Sequence, residues 1–93
     1  MDLIFLYTAD NPSSVYAAQE LETLLKEPDL EKTFQLTKID LSADKETAEK
    51  FSVTALPASV FIKNNQEVGR INGYYPLHEL RTKIKTILAA RQG

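Results

Sequence analysis

Two apolar runs, separated by one amphipathic segment, constrain this chain more than anything else in it. Leu3-Ile4-Phe5-Leu6-Tyr7 is apolar without alternation, as a strand covered on both faces should be. Thr33 to Leu41 reads as the next strand, with Phe34, Leu36, Ile39 and Leu41 apolar. The segment between them spaces Val15, Ala18, Leu21, Leu24 and Leu25 by three and four, which predicts a helix burying that stripe while Glu20, Glu22 and Lys26 face water. A strand, a helix and a strand in that order form a crossover, so the two strands pair in parallel with a right-handed connection.

The joint between the first strand and its helix is Ala9-Asp10-Asn11-Pro12-Ser13-Ser14. Pro12 suits the first helical turn, where a missing N–H costs nothing, and Asp10 or Asn11 serves as N-cap. Pro28 is expected to end the helix. Ser42 is expected to cap a short helix near Asp44 to Phe51, with Ala48 and Phe51 turned inward. Ser59 to Lys63 is a third strand. Asn64-Asn65 marks a tight turn, and Glu67 to Asn72 returns antiparallel. Gly69 inside that strand marks a bulge or a close backbone approach, and Gly73 ends it. Pro76 opens a last helix whose stripe is Leu77, Leu80, Ile84, Ile87 and Leu88. Its outer face is Glu79, Arg81, Lys83 and Lys85, and residues 89–93 are expected to fray. The order is βαβ-α-ββα, an α/β fold with a four-stranded mixed sheet and three helices, in one domain over residues 1–93.

Composition removes several functions. The chain has no cysteine, so dithiol exchange is excluded outright. One histidine, His78, and no thiol leave no metal site. A formal net charge of −2 with the signs mixed provides no basic stripe for nucleic acid. Met1-Asp2-Leu3 has no basic region and leads straight into a strand, and no apolar run approaches the ~20 residues needed to span a bilayer. A cytoplasmic protein without a membrane partner is the expectation. Glu20, Glu22, Glu27, Glu31 and Glu49 are scattered and suggest no acid/base pair. Neither a Gly-rich phosphate loop nor a Gly-x-Ser-x-Gly elbow occurs.

The element order resembles the core of the thioredoxin-like fold. Asp10-Asn11-Pro12-Ser13 lies over thioredoxin's Cys-Gly-Pro-Cys, and Ala55-Leu56-Pro57-Ala58 is similar to its cis-proline loop. The resemblance implies a cis Leu56–Pro57 bond facing the helix opening. It also shows which parts are missing: Asp10 and Ser13 replace the two cysteines, and Ile4 stands where the family keeps a buried carboxylate. The first half further resembles KaiB, the cyanobacterial clock protein family. The matching pieces are Leu6-Tyr7-Thr8-Ala9, Asn11-Pro12, Ser14-Val15-Tyr16-Ala17, Leu36-Thr37-Lys38-Ile39-Asp40-Leu41, Ala48-Glu49 and Ala55-Leu56-Pro57. The last third departs from KaiB, with Asn64-Asn65-Gln66 and Asn72-Gly73-Tyr74-Tyr75-Pro76 closer to ordinary thioredoxin. KaiB switches folds, and its thioredoxin-like state binds the clock ATPase KaiC. The strong hairpin turn and clean final stripe here favour the thioredoxin-like state.

Three functions follow as expectations. The first is a non-enzymatic, monomeric, cofactor-free interaction module whose partner is a KaiC-like ATPase or a signalling kinase. Its surface would combine Asp10, Asn11, Pro12 and Ser13 with Leu56, Pro57, Tyr74 and Tyr75. The second is a thiol-binding or transferase-like enzyme using Ser13, as glutathione-transferase-like proteins do. The third is a redox-inactive thioredoxin-like adaptor. Each feature also has a plainer structural reading. Asp10 and Ser13 are what a helix start prefers, Leu56-Pro57 makes a turn, and tyrosines pack half-buried with their hydroxyls in water.

Overall fold

The computed structural model describes residues 1–53 and 55–90. Among them the chain forms β1 (Asp2–Tyr7), α1 (Pro12–Leu24), β2 (Gln35–Asp40), α2 (Lys45–Lys50), β3 (Ala58–Lys63), β4 (Gln66–Asn72) and α3 (Leu77–Ala90). The sheet runs β2-β1-β3-β4. β1 is parallel to β2 and antiparallel to β3, and β4 returns antiparallel on β3. This is the α/β order that the sequence predicts.

β1 is central, and its side chains alternate between two cores. Leu3 and Phe5 join Ala17, Ala18, Leu21, Leu24, Phe61, Ile71, Leu80 and Ile84 beneath α1 and α3. Leu6 joins Leu41, Ala58 and Val60 on the other face, where Ala48 and Phe51 of the α2 region pack against it. That two-sided burial is why the run is apolar without a period. Phe61 is fully buried and meets Phe34 edge to face at 5.6 Å.

Four details differ from expectation, each for a local reason. The buried face of α1 is Ser14, Ala17, Ala18, Leu21 and Leu24, while Val15 and Leu25 are only half-buried. The small side chains at 14, 17 and 18 form the face against the sheet. The helix ends at Leu24, before Pro28. Leu24 O would await the N–H that Pro28 lacks, and it is taken by Glu27 N at 3.1 Å. The chain then turns to insert Leu30, an unforeseen core residue, 1% exposed. Asp44, rather than Ser42, caps α2: its carboxylate accepts from Thr47 N at 3.2 Å and Thr47 Oγ1 at 2.6 Å. Ser42 is engaged by Asp40 instead. The outer face of α3 is not simply solvated. Arg81 grips Glu27 through two bonds of 3.0 and 2.6 Å, and Lys85 pairs with Asp29 at 3.0 Å. Lys83 lies over the Tyr75 ring at 4.4 Å. Glu22 is paired too, with Lys38 of β2. Ala89 and Ala90 complete α3, and the rest of the segment expected to fray, 91–93, lies outside the described residues.

Asn64 and Asn65 turn the hairpin at φ 54° and 64°, the left-handed pair that such a turn requires. Gly69 meets both of its expectations. The register slips between Phe61 and Ile62, leaving Val68 unpaired on β4, and a Cβ at 69 would sit 2.9 Å from Ile87 Cγ2. Ile87 is β-branched and stiff, so it cannot easily swing away. Gly69→Ala is therefore expected to destabilise the fold by about 1–3 kcal/mol in urea unfolding, and Ile87→Ala should cancel most of that increment.

Four carboxylates are held below their ordinary range. Hydrogen bonds from Arg81 act on Glu27, from Lys85 on Asp29, from Ser42 on Asp40 and from Thr47 on Asp44. A depressed folded pKa means that the unfolded chain binds more protons in the interval, so stability rises with pH there. The contribution is complete above the ordinary carboxylate range of about 4 and is lost as pH falls through the folded values. Urea midpoints should be flat near neutrality and drop below about pH 4. In Glu27→Gln and Asp40→Asn that drop should be shallower.

Candidate functional site

The strand register gathers four loops at one end of the sheet. Tyr7 pairs with Asp40 at the carboxyl ends of β1 and β2, Leu6 pairs with Ala58 at the start of β3, and Ala58 pairs with Asn72 at the end of β4. The β1–α1 turn, the turn after β2, the Pro57 loop and the β4–α3 turn therefore share one edge. Carboxyl ends of parallel strands are where open α/β sheets usually carry their sites.

Two clamps fix these loops. Asp40 Oδ1 accepts from Ala9 N at 3.2 Å, from Ser42 N at 3.0 Å and from Ser42 Oγ at 2.7 Å, tying the helix opening to the end of β2. Pro57 O accepts from Gly73 N at 2.7 Å, tying the proline loop to the end of β4. The Leu56–Pro57 bond is cis, as the resemblance to thioredoxin implies, and Gly73 takes φ 86° where a side chain would be strained.

The helix opening is an Asn cap. Asn11 is extended at φ −108°, its Oδ1 accepts from Ser13 N at 3.0 Å, and Val15 N bonds to Asn11 O at 3.2 Å. Asn11, and not Asp10, is thus the N-cap. Asp10, Asn11, Pro12 and Ser13 are all exposed. Ser14 faces inward, fully buried, and its Oγ has no hydrogen-bond partner among the described residues.

Of the residues singled out from sequence, the structure brings Ser13 and Tyr74 together. With Tyr16 they line a depression of about 260 Å³. Among the described residues, Tyr16 and Tyr74 are the two large apolar side chains that stay exposed, at 53% and 43%, and their rings lie 6.1 Å apart at 38°. Tyr75 points elsewhere. It lies between β4 and α3, lining a groove of about 550 Å³ with Ile71, Thr82, Lys83 and Ile87. Leu56 packs on the second core and borders a depression with Leu41, Ala48 and Val53. Pro57 itself is buried, contributing through its carbonyl.

Sequence reasoning placed Glu20 in water, but it is half-buried beside the two tyrosines. Its Oε2 is shut from solvent without a hydrogen-bond partner among the described residues. The phenol of Tyr16 is held above its ordinary range first by donating toward the carboxylate of Glu20, then by the Glu20 charge, then by burial. Burial acts first on Tyr74, followed by the Glu20 charge. Both phenols are neutral at pH 7. The signal for this cluster was the spacing of four between Tyr16 and Glu20, which puts them on one helix face. Tyr74 joins them only through the fold. Among the described residues no group of acidic or histidine side chains is arranged to hold a metal ion, and no helix is long and apolar enough to cross a membrane.

A central β1 between a parallel and an antiparallel neighbour, with α1 opening at its end opposite a cis-proline loop, defines the thioredoxin-like class. The thioredoxin family model matches residues 13–86, and the chain belongs to that family. Solved structures agree. A malarial protein is 25% identical, covering 94% of this chain and 96% of its own, with a TM-score of 0.78. Fasciola hepatica thioredoxin is 30% identical over 91% of this chain and 78% of its own, at 0.75. Thioredoxin 1 from Thermosipho africanus shares the fold at 0.77 over 100% of both chains with 14% identity. No curated protein matches the chain significantly.

Because the cap at Asn11 sets where α1 begins, Asn11→Ala is expected to cost about 1 kcal/mol by chemical denaturation. Asn11→Asp should retain most of it.

Proposed function

We propose that this chain is a non-enzymatic member of the thioredoxin family that works by binding another protein. The observation that carries the reading is the pairing of a kept shape with lost chemistry. Asp10 and Ser13 stand at the cysteine positions, Ile4 stands at the carboxylate position, and the turn, Pro12 and the Pro57 loop are retained. The binding surface is the helix opening, Asp10 to Ser13, extended by Tyr16 and by Tyr74 above the Pro57 carbonyl. Exposed tyrosines on fixed backbone suit such a surface, since they bring contact area with few rotatable bonds.

The narrower form of this reading rests on the KaiB resemblance over the first half of the chain. It makes the partner a KaiC-like ATPase or a signalling kinase, bound by a cytoplasmic monomer resting in the thioredoxin-like arrangement. A single helix opening with an exposed Ser13 also suits the rival reading, in which that hydroxyl holds a thiol.

Purified KaiC-type ATPase and unrelated ATPases, each titrated with the labelled chain, test the proposal. Saturable binding that falls at least tenfold in Tyr74→Ala is the expected result. Binding that is absent from all of them contradicts the narrower form, and binding indifferent to Tyr74→Ala removes the surface. Glutathione should not bind tighter than millimolar, and disulfide reduction should be undetectable. Glutathione binding, if lost in Ser13→Ala, would establish the rival.

A further inference from the structure

We propose that Tyr16, Tyr74 and Glu20 form a subsite that accepts a lysine or arginine side chain of a protein partner. The inference deepens the reading above and rests on it for the partner. Three observations converge on a cation. Two aromatic rings stay exposed side by side, 6.1 Å apart and inclined at 38°, so they do not pack flat on each other, and both residues line one depression. A carboxylate lies against them with one oxygen shut from water and unpartnered among the described residues. The charge around them is one-sided. Helix α1 carries Glu20 and Glu22 and no cation, and Glu22 is paired with Lys38, whereas Glu20 makes no salt bridge among the described residues.

Aromatic rings with a negative charge beside them favour ammonium and guanidinium groups over neutral groups of equal size. The rings are preorganised for it. Tyr16 is fixed on α1, and Tyr74 follows Gly73, whose N–H is held by Pro57 O at 2.7 Å. Both phenols are neutral at pH 7, where tyrosine is ordinarily uncharged, so the rings bring no negative charge of their own and Glu20 supplies it. A lysine or arginine arriving here would lose little of its hydration, since the depression is shallow, and would place its charge over both rings.

Tetramethylammonium chloride is the direct probe, titrated into the full chain at constant ionic strength while the tyrosine ring resonances are followed by NMR. Saturable shifts at Tyr16 and Tyr74 in the millimolar range are expected. tert-Butanol, similar in size but uncharged, should bind at least fivefold more weakly. Glu20→Gln should weaken tetramethylammonium at least fivefold and leave tert-butanol unchanged, whereas Tyr16→Ala should weaken both. All these side chains lie at the surface or half-buried, and unchanged circular dichroism will confirm the fold. Equal binding of the two probes, or no saturable shift, would falsify the subsite. Loss of the subsite with Tyr74→Ala still abolishing ATPase binding would leave the partner surface intact. Tetramethylammonium binding with no protein partner would leave the subsite and remove the partner reading.

Discussion

The burial of β1 on both faces is the constraint on which the rest depends. A strand with Leu3 and Phe5 on one core and Leu6 on the other has no solvent-facing side, so it must be interior to the sheet and covered by helices above and below. Parallel pairing with β2 then follows from the crossover through α1, and antiparallel pairing with β3 fills the other side. Once β1 is central, its carboxyl end meets the carboxyl end of β2 and the start of β3, and the start of β3 in turn meets the end of β4. The site is a consequence of that register: no single loop builds it.

Polar groups at that end are used to fix the loops. Asp40 spends three acceptor contacts on backbone and side-chain donors of its own neighbourhood, holding the turn into α1. Pro57 is buried, but its carbonyl sets the position of Gly73 and therefore of Tyr74. Ser13 sits where a nucleophile would, at an exposed helix start, with no base beside it among the residues lining its depression. Beside it stand a pair of tyrosines and a carboxylate, on backbone fixed at both sides.

The fold was legible because its signals were local or periodic. Apolar runs, proline positions, the Asn64-Asn65 turn and the final stripe each determine one element without help from the others. Details that failed were those decided across elements. Pro28 stops α1 through an acceptor four residues earlier, and Leu30 is drawn into the core by the turn that results. Ser42 looked like a cap until Asp40 claimed its hydroxyl. The site was half legible for the same reason. Asp10, Asn11, Pro12 and Ser13 stand out in sequence, whereas Glu20 reads as one more solvated carboxylate until Tyr74, more than fifty residues away, closes over the same helix face. Tyr74 and Tyr75 are adjacent in the chain and diverge in space, because an extended segment sends alternate side chains to opposite sides. Adjacent tyrosines were one feature in the sequence and are two in the structure.

The claim that joins these observations is that recognition takes place at the carboxyl end of β1, without covalent chemistry. Hydrogen exchange measured on the chain with and without a purified ATPase partner tests it most directly. Protection concentrated in residues 10–16 and 73–75, with the exchange of β2 and α2 unchanged, is the predicted result. Protection confined to the β2 edge, to α2 or to the groove between β4 and α3 would contradict it.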